Sequence, residues 1–145
     1  FVAALLFGAE DLTAQLAVPR TIDGDELVFP RAQVALAAAA VGAQAIDAVF
    51  TSLADLISLE RDCTRARAVG FHGKMAIHPR QVPVINAAFT PSAAEVERAR
   101  RVLDASEAAR AAGQGGTRMD SQMVELPIVE RARRTLALAA RYSGG

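Results

Sequence analysis

Three short apolar runs, each followed by a stretch with helical periodicity, organise the first ninety or so positions of the chain. The first run, about Ala3 to Phe7, leads into a loop with Pro19, Asp23 and Gly24 and then a helix expected from about Pro30 to Val41. Proline suits a first helical turn, where a missing N–H costs nothing, and Gly42 suits the position just past the end. The second run, Ala45 to Phe50, precedes a helix expected from about Ser52 to Ala68, whose Leu53, Leu56, Ile57 and Leu59 to Cys63 supply an apolar side before Gly70 stops it. The third, Phe71 to Ile77, closes on His78-Pro79 and gives way to a short helix near Gln81 to Ala88.

A longer helix is expected from about Ala93 to Ala112, opened by Ser92 and Glu95 in a capping box. The character then changes. Gly113-Gln114-Gly115-Gly116 reads as a hinge, Met119 to Glu125 as irregular, and Pro127 as the start of an amphipathic helix lined by Ile128, Ala132, Leu136, Ala139 and Ala140. A division into residues 1–112 and 113–145 follows, the second part being a mobile lid, an arm for a partner, or a helix packed on its own domain.

Strand and helix alternating at this spacing predict a parallel sheet with helical crossovers. Three such units leave two bare edges, and parallel strands need cover on both faces. An eight-fold barrel takes about 250 residues. The expectation is that further strand–helix units belong upstream of Phe1, where the chain begins inside an apolar run without Met, and that these 145 residues alone are molten or aggregated.

Sixteen basic and sixteen acidic side chains give no net charge, against a nucleic-acid partner, which needs uncompensated Lys and Arg. Glu97 with Arg101 and Glu130 with Arg134, each four apart, read as solvated pairs. The longest apolar stretch, Val34 to Ile46, is too short to cross a bilayer, so no membrane partner is expected. Cys63 is the single cysteine, which excludes an internal disulfide and points to a reducing, cytoplasmic compartment.

Chemistry concentrates where the runs end. Asp11 follows the first strand in Phe7-Gly8-Ala9-Glu10-Asp11-Leu12, and a carboxylate there is either a magnesium ligand, since that ion favours hard oxygens, or the cap of the helix that follows. Gly8 allows close approach of a ligand to the backbone. Asp47 sits too early to cap the second helix and so faces a site or makes a structural hydrogen bond. In the third run Phe71, Met75 and Ile77 alternate with His72, Lys74 and His78. With helices outside, Lys74, Ala76 and His78 face the axis, where Lys74 and His78 bind an anionic or carbonyl oxygen or, alternatively, make an ion pair and a structural hydrogen bond.

Leu6-Phe7-Gly8-Ala9-Glu10-Asp11-Leu12 resembles the sixth strand of the citrate lyase β-subunit/malyl-CoA lyase family, within the wider HpcH/HpaI aldolase superfamily. Ala45-Ile46-Asp47 is similar to its seventh. Gly70-Phe71-His72-Gly73-Lys74-Met75-Ala76-Ile77-His78-Pro79-Arg80-Gln81 is similar to its eighth and is the most specific of these signals. Pro91-Ser92 and Met123-Val124-Glu125-Leu126-Pro127-Ile128-Val129 with Ala132 resemble its C-terminal extension.

The resemblance implies a TIM (β/α)8 barrel, of which the chain carries about strands 6–8 and the extension, assembled as a homo-oligomer, trimer or hexamer. It implies a Mg2+-dependent carbon–carbon lyase for malyl-, citramalyl- or citryl-type hydroxyacyl-CoA thioesters. The alternatives are a citrate lyase β-subunit acting on a citryl-acyl-carrier protein, or a non-catalytic assembly partner. Asp11 falls on the metal-ligand aspartate, while its partner glutamate and a substrate-binding arginine belong to strands outside the chain. Gly8, Ala9, Glu10, Asp47, Lys74 and His78 are the expected substrate- or CoA-binding positions. Glu125 falls on an acidic residue that handles the enolate proton in a neighbouring subunit.

Two departures stand out. Where the family reads Asp-Gly-Lys-Met-Val-Asp, this chain has Asp120-Ser121-Gln122-Met123-Val124-Glu125. Glutamate keeps the acid but adds roughly 1.5 Å of reach, and misplacement on that scale costs on the order of a hundredfold in rate.

Overall fold

A computed structural model describes residues 2–113, 117–119 and 122–142. The chain divides into two compact units, Phe1–Phe89 and Thr90–Gly145.

The first unit is built on a three-stranded parallel sheet, β1 (Ala4–Leu6), β2 (Gln44–Asp47) and β3 (Gly73–Lys74), in that spatial order. Ala4, Leu5 and Leu6 lie opposite Gln44, Ala45 and Ile46, and Asp47 lies opposite Lys74. Between β1 and β2 run α1 (Ala9–Gln15), a 3-10 turn at Asp25–Leu27 and α2 (Val28–Ala40). The loop expected after the first run is thus partly helical, because Ala9 to Gln15 complete two turns before the chain bends at Ala17, whose φ is 54°. α3 (Leu56–Ala68) follows β2, and α4 (Gln81–Phe89) follows β3.

α3 starts four residues later than the apolar pattern suggests because Asp55 caps it, accepting from Ser58 N–H at 2.9 Å. Its far end stops where Gly70 takes a φ of 109°, a conformation that costs glycine little. The core between sheet and helices holds Phe7, Leu27, Ala35, Ala38, Ala45, Leu59, Cys63, Ala66, Phe71 and Ile85. Phe7 and Phe71 meet with ring centroids 6.5 Å apart. Apolar burial of this kind contributes about 25 cal/mol per Å2.

The third run pairs over only two residues, and its alternation does not extend to Ile77. Met75 N–H still reaches the Asp47 carbonyl, but Ile77 N–H turns to the side chain of Gln81. Lys74 therefore faces the helical side, where it meets Asp62 of α3 and Asp47 of β2, and not the axial side that strict alternation assigns to it.

In the second unit, α5 (Ala93–Ala111) begins with the expected capping box. Ser92 accepts from Glu95 N–H at 3.2 Å, and Ser92 N–H donates to the Glu95 carboxylate at 2.8 Å. The segment expected to be irregular, Met119 to Glu125, carries β5 (Gln122–Val124), which pairs antiparallel with β4 (Thr117–Met119). Three residues per strand leave too little alternation to see in sequence, and burial of Val124 with Ala99, Val102, Val129 and Ala132 is what orders them. α6 (Leu126–Tyr142) packs on α5 through the predicted Ile128, Ala132 and Leu136. Surface pairs form at i+3 spacing, Glu130 with Arg133 at 2.7 Å and Glu97 with Arg100 at 4.0 Å. Gln114 to Gly116 of the expected hinge, and Asp120 and Ser121 of the altered motif, lie outside the described residues.

Candidate metal and substrate site

The residues that follow the carboxyl ends of β1, β2 and β3 are where open and barrel-type α/β folds build sites. At the end of β1, Gly8 takes the N-cap position of α1 without any side-chain cap, and Ala9, Glu10 and Asp11 form the first turn. Ala9 is buried and its carbonyl accepts the Thr13 hydroxyl at 2.9 Å. Glu10 and Asp11 are both exposed but differ in their partners.

Glu10 is held by Arg20, whose Nε lies 2.8 Å from it, while the same guanidinium donates to Glu26 at 2.8 Å. Burial pushes the Glu26 carboxyl up, but the Thr21 hydroxyl and amide, with Arg20, outweigh it and bring the group down to about 2. The Asp11 side chain has no hydrogen bond or ion pair among the described residues, so it does not cap α1. A side chain at position 8 would put its Cβ 3.6 Å from Asp11 Oδ2, so glycine keeps the approach to that carboxylate open. A helix N-terminus also favours negative charge nearby.

Asp47 and Lys74 are brought together, but in the interior. Arg31 of α2 donates to Asp47 through Nε at 3.0 Å and Nη2 at 2.9 Å, and to Asp62 of α3 at 2.7 Å. Lys74 Nζ lies 2.6 Å from Asp47 Oδ2 and 2.6 Å from Asp62 Oδ2, the latter a charge contact outside aligned hydrogen-bond geometry. Two cations and two anions cancel inside the core. Burial pushes Asp62 up, yet Lys74 and then Arg31 outweigh it and leave the carboxyl below its ordinary range. Burial likewise lowers Arg31, and Asp47 and Asp62 more than restore it. With its ammonium between two carboxylates and no exposed surface, Lys74 presents nothing to solvent.

Arg31 and Asp62 are not among the expected site positions. Their signal is a charge on a buried stripe: Arg31 sits among Leu27, Ala35 and Ala38, and Asp62 among Leu59, Cys63 and Ala66. Gln81 is legible in sequence only as a helix start and the end of the Gly70–Gln81 run, not as a residue of the site. This side chain has no exposure and binds two loops, accepting from Ile77 N–H at 3.0 Å and donating to the Phe50 carbonyl at 2.8 Å. His78 is half-buried, and its Nδ1 accepts from Arg80 N–H at 3.1 Å.

Glu125 belongs to the second unit. Its carbonyl accepts from Ile128 and Val129 N–H at the start of α6, and its side chain is exposed without a partner among the described residues. Among the described residues no group of three or more His, Cys, Asp or Glu side chains is placed to hold a metal ion. A magnesium ion takes one or two protein carboxylates and completes its octahedron with substrate oxygens and water, so a lone carboxylate such as Asp11 is no complete site. Among the described residues no helix is long and apolar enough to cross a membrane.

The family model HpcH/HpaI aldolase/citrate lyase matches residues 1–79. The chain is 43% identical over 136 residues to a citrate lyase subunit beta-like protein of Deinococcus radiodurans, covering 94% of this chain and 48% of that protein. It is 31% identical over 139 residues to the mitochondrial citramalyl-CoA lyase of Rattus norvegicus, covering 96% and 41%. Among solved structures it is similar to the protein CitE of Mycobacterium tuberculosis in complex with magnesium, acetoacetate and coenzyme A. There the TM-score is 0.78 and the identity 37%, over 93% of this chain and 51% of that one. The chain spans about half the length of these relatives.

Proposed function

Because the chain belongs to the HpcH/HpaI aldolase/citrate lyase family, whose fold is α/β of the TIM-barrel type, we propose that it is part of a magnesium-dependent lyase. The substrate class is a hydroxyacyl thioester, cleaved to an acyl thioester and an α-keto acid. On this reading β1 to β3 are the last three strands of the barrel, and residues 113–145 carry an arm that covers a site in a homo-oligomer. A cytoplasmic setting accords with the single buried thiol of Cys63.

The observation that carries the proposal is the Asp11 carboxylate, in the first turn of α1 with no partner among the described residues, beside its Arg20-bound neighbour Glu10. Asp11 would hold the magnesium ion, with a second carboxylate from outside the chain. When bound, the ion supplies Lewis acidity toward the substrate's hydroxyl and carboxylate oxygens. Gly8 keeps the backbone clear for the substrate, and the paired Glu10 is kept out of competition for the cation. The substrate's hydroxyl would lose its proton to water or to a base from outside the chain as its oxygen becomes the α-keto acid's carbonyl, and the broken carbon–carbon bond leaves its electron pair on the α-carbon of the thioester fragment as an enolate. Glu125, exposed at the start of α6 with no partner among the described residues, would deliver a proton to that carbon from a neighbouring subunit.

A second reading is a citrate lyase β-subunit whose thioester sits on an acyl-carrier protein, favoured by the name of the 43%-identical relative. The test is an assay of the intact protein with malyl-CoA, citramalyl-CoA and a citryl-acyl-carrier protein, with and without EDTA. Cleavage that EDTA abolishes is expected with one of the three. Cleavage insensitive to EDTA, or none with any thioester, would overturn the proposal; preference for the carrier-bound ester selects the second reading.

A further inference from the structure

Gln81 connects two segments that sheet pairing leaves unconnected. β2 ends at Asp47 and β3 at Lys74, so beyond them the chain runs to α3 and to α4 without any ladder between the two loops. One fully buried amide spans that gap: Nε2 donates to the Phe50 carbonyl at 2.8 Å, and Oε1 accepts from Ile77 N–H at 3.0 Å. The backbone of Gln81 adds a third tie, its N–H donating to the His78 carbonyl at 3.0 Å. Inside this turn, Arg80 N–H donates to His78 Nδ1 at 3.1 Å. An acceptor Nδ1 places the proton of the neutral ring on Nε2, and Nε2 has no partner among the described residues.

We infer that Gln81 is a positioning residue for the site: it locks the loop at Phe50 to the loop at Ile77 and so presents His78 Nε2–H as a fixed donor to a substrate oxygen. Its role in catalysis rests on the proposed lyase reading; its role as a lock does not. An amide suits both ends of the lock because it donates and accepts at once. Methionine, of similar length, does neither. Glutamate accepts from Ile77 N–H but donates to the Phe50 carbonyl only when protonated, and burial raises its pKa.

The test uses the intact protein carrying Gln81→Met or Gln81→Glu, with kcat/KM measured across pH and hydrogen exchange measured over residues 48–52 and 76–80. Q81M is expected to lose on the order of a hundredfold in kcat/KM, with faster exchange in both segments. Q81E is expected to be similarly impaired at neutral pH and to regain about tenfold or more, relative to the wild type, as acid protonates the introduced carboxylate. That acid-side rescue separates positioning from general destabilisation, which Tm reports for both variants. If Q81M does not fold, the pH profile and exchange of Q81E decide the matter alone. Wild-type rates in Q81M, or a Q81E-to-wild-type ratio flat in pH, would overturn the catalytic role, and unchanged exchange in both segments would overturn the lock. Should the wild-type protein cleave no thioester, the lyase reading fails and exchange alone still judges the lock.

Discussion

Asp11 and Asp47 look alike in sequence, each an aspartate near the end of an apolar run, yet they have opposite fates. Asp11 leaves its strand, enters α1 and has no side-chain partner among the described residues, whereas Asp47 stays in β2 with no exposure and binds Arg31 and Lys74. Sequence shows that a carboxylate is present at a strand end, but not which side of the sheet it takes. The adjacent pair Glu10 and Asp11 is no easier, since the pairing of Glu10 depends on Arg20, ten residues away across an irregular turn. Cys63 permits a sharper expectation. Burial, the largest influence, pushes its thiol from 9.0 up to about 11. In the unfolded chain the thiol ionises above its ordinary value while the native thiol remains neutral, so stability is unaffected below pH 9 and falls between about 9 and 11. Urea unfolding at successive pH values should give a shallower alkaline decline in Cys63→Ala than in the wild type; equal slopes would show that the thiol is not held neutral.

At the scale of elements, periodicity located β1, β2 and α2 to α6 well, since each carries an apolar side that must be buried. It failed where elements are short. β3 contains two residues and the β4–β5 pair three each, so contacts made far along the chain decide them. The Arg31–Asp47–Lys74–Asp62 cluster joins α2, β2, β3 and α3, and an ion cluster of this kind ties the register of helices to strands. Removing one partner leaves an uncompensated buried charge, so Lys74→Met is expected to destabilise by on the order of 3–5 kcal/mol in denaturant unfolding. The loss should shrink in acid. Asp62 has a lowered pKa, so its contribution is complete above the ordinary carboxylate value and disappears as pH falls through the folded value. A change under about 1 kcal/mol would mean that the cluster is not closed as described.

For the whole molecule, the resemblance read from the dodecapeptide at Gly70 to Gln81 and from the run at Leu6 to Leu12 agrees with the family match over residues 1–79. The α/β alternation was visible because a parallel strand and its crossover helix each leave a distinct period. The linkage of neighbouring loops through Gln81 was not, since a glutamine between Arg80 and Val82 has no periodic signature. The functional proposal nevertheless reduces to one coordinating group, and the most direct measurement is calorimetric titration of Mg2+ into the intact protein and its Asp11→Asn form. The wild type should bind with the affinity of a built site, and the variant should bind at least about 100-fold more weakly at an unchanged Tm. Equal Mg2+ affinities in the two proteins would contradict the assignment of Asp11 as a metal ligand.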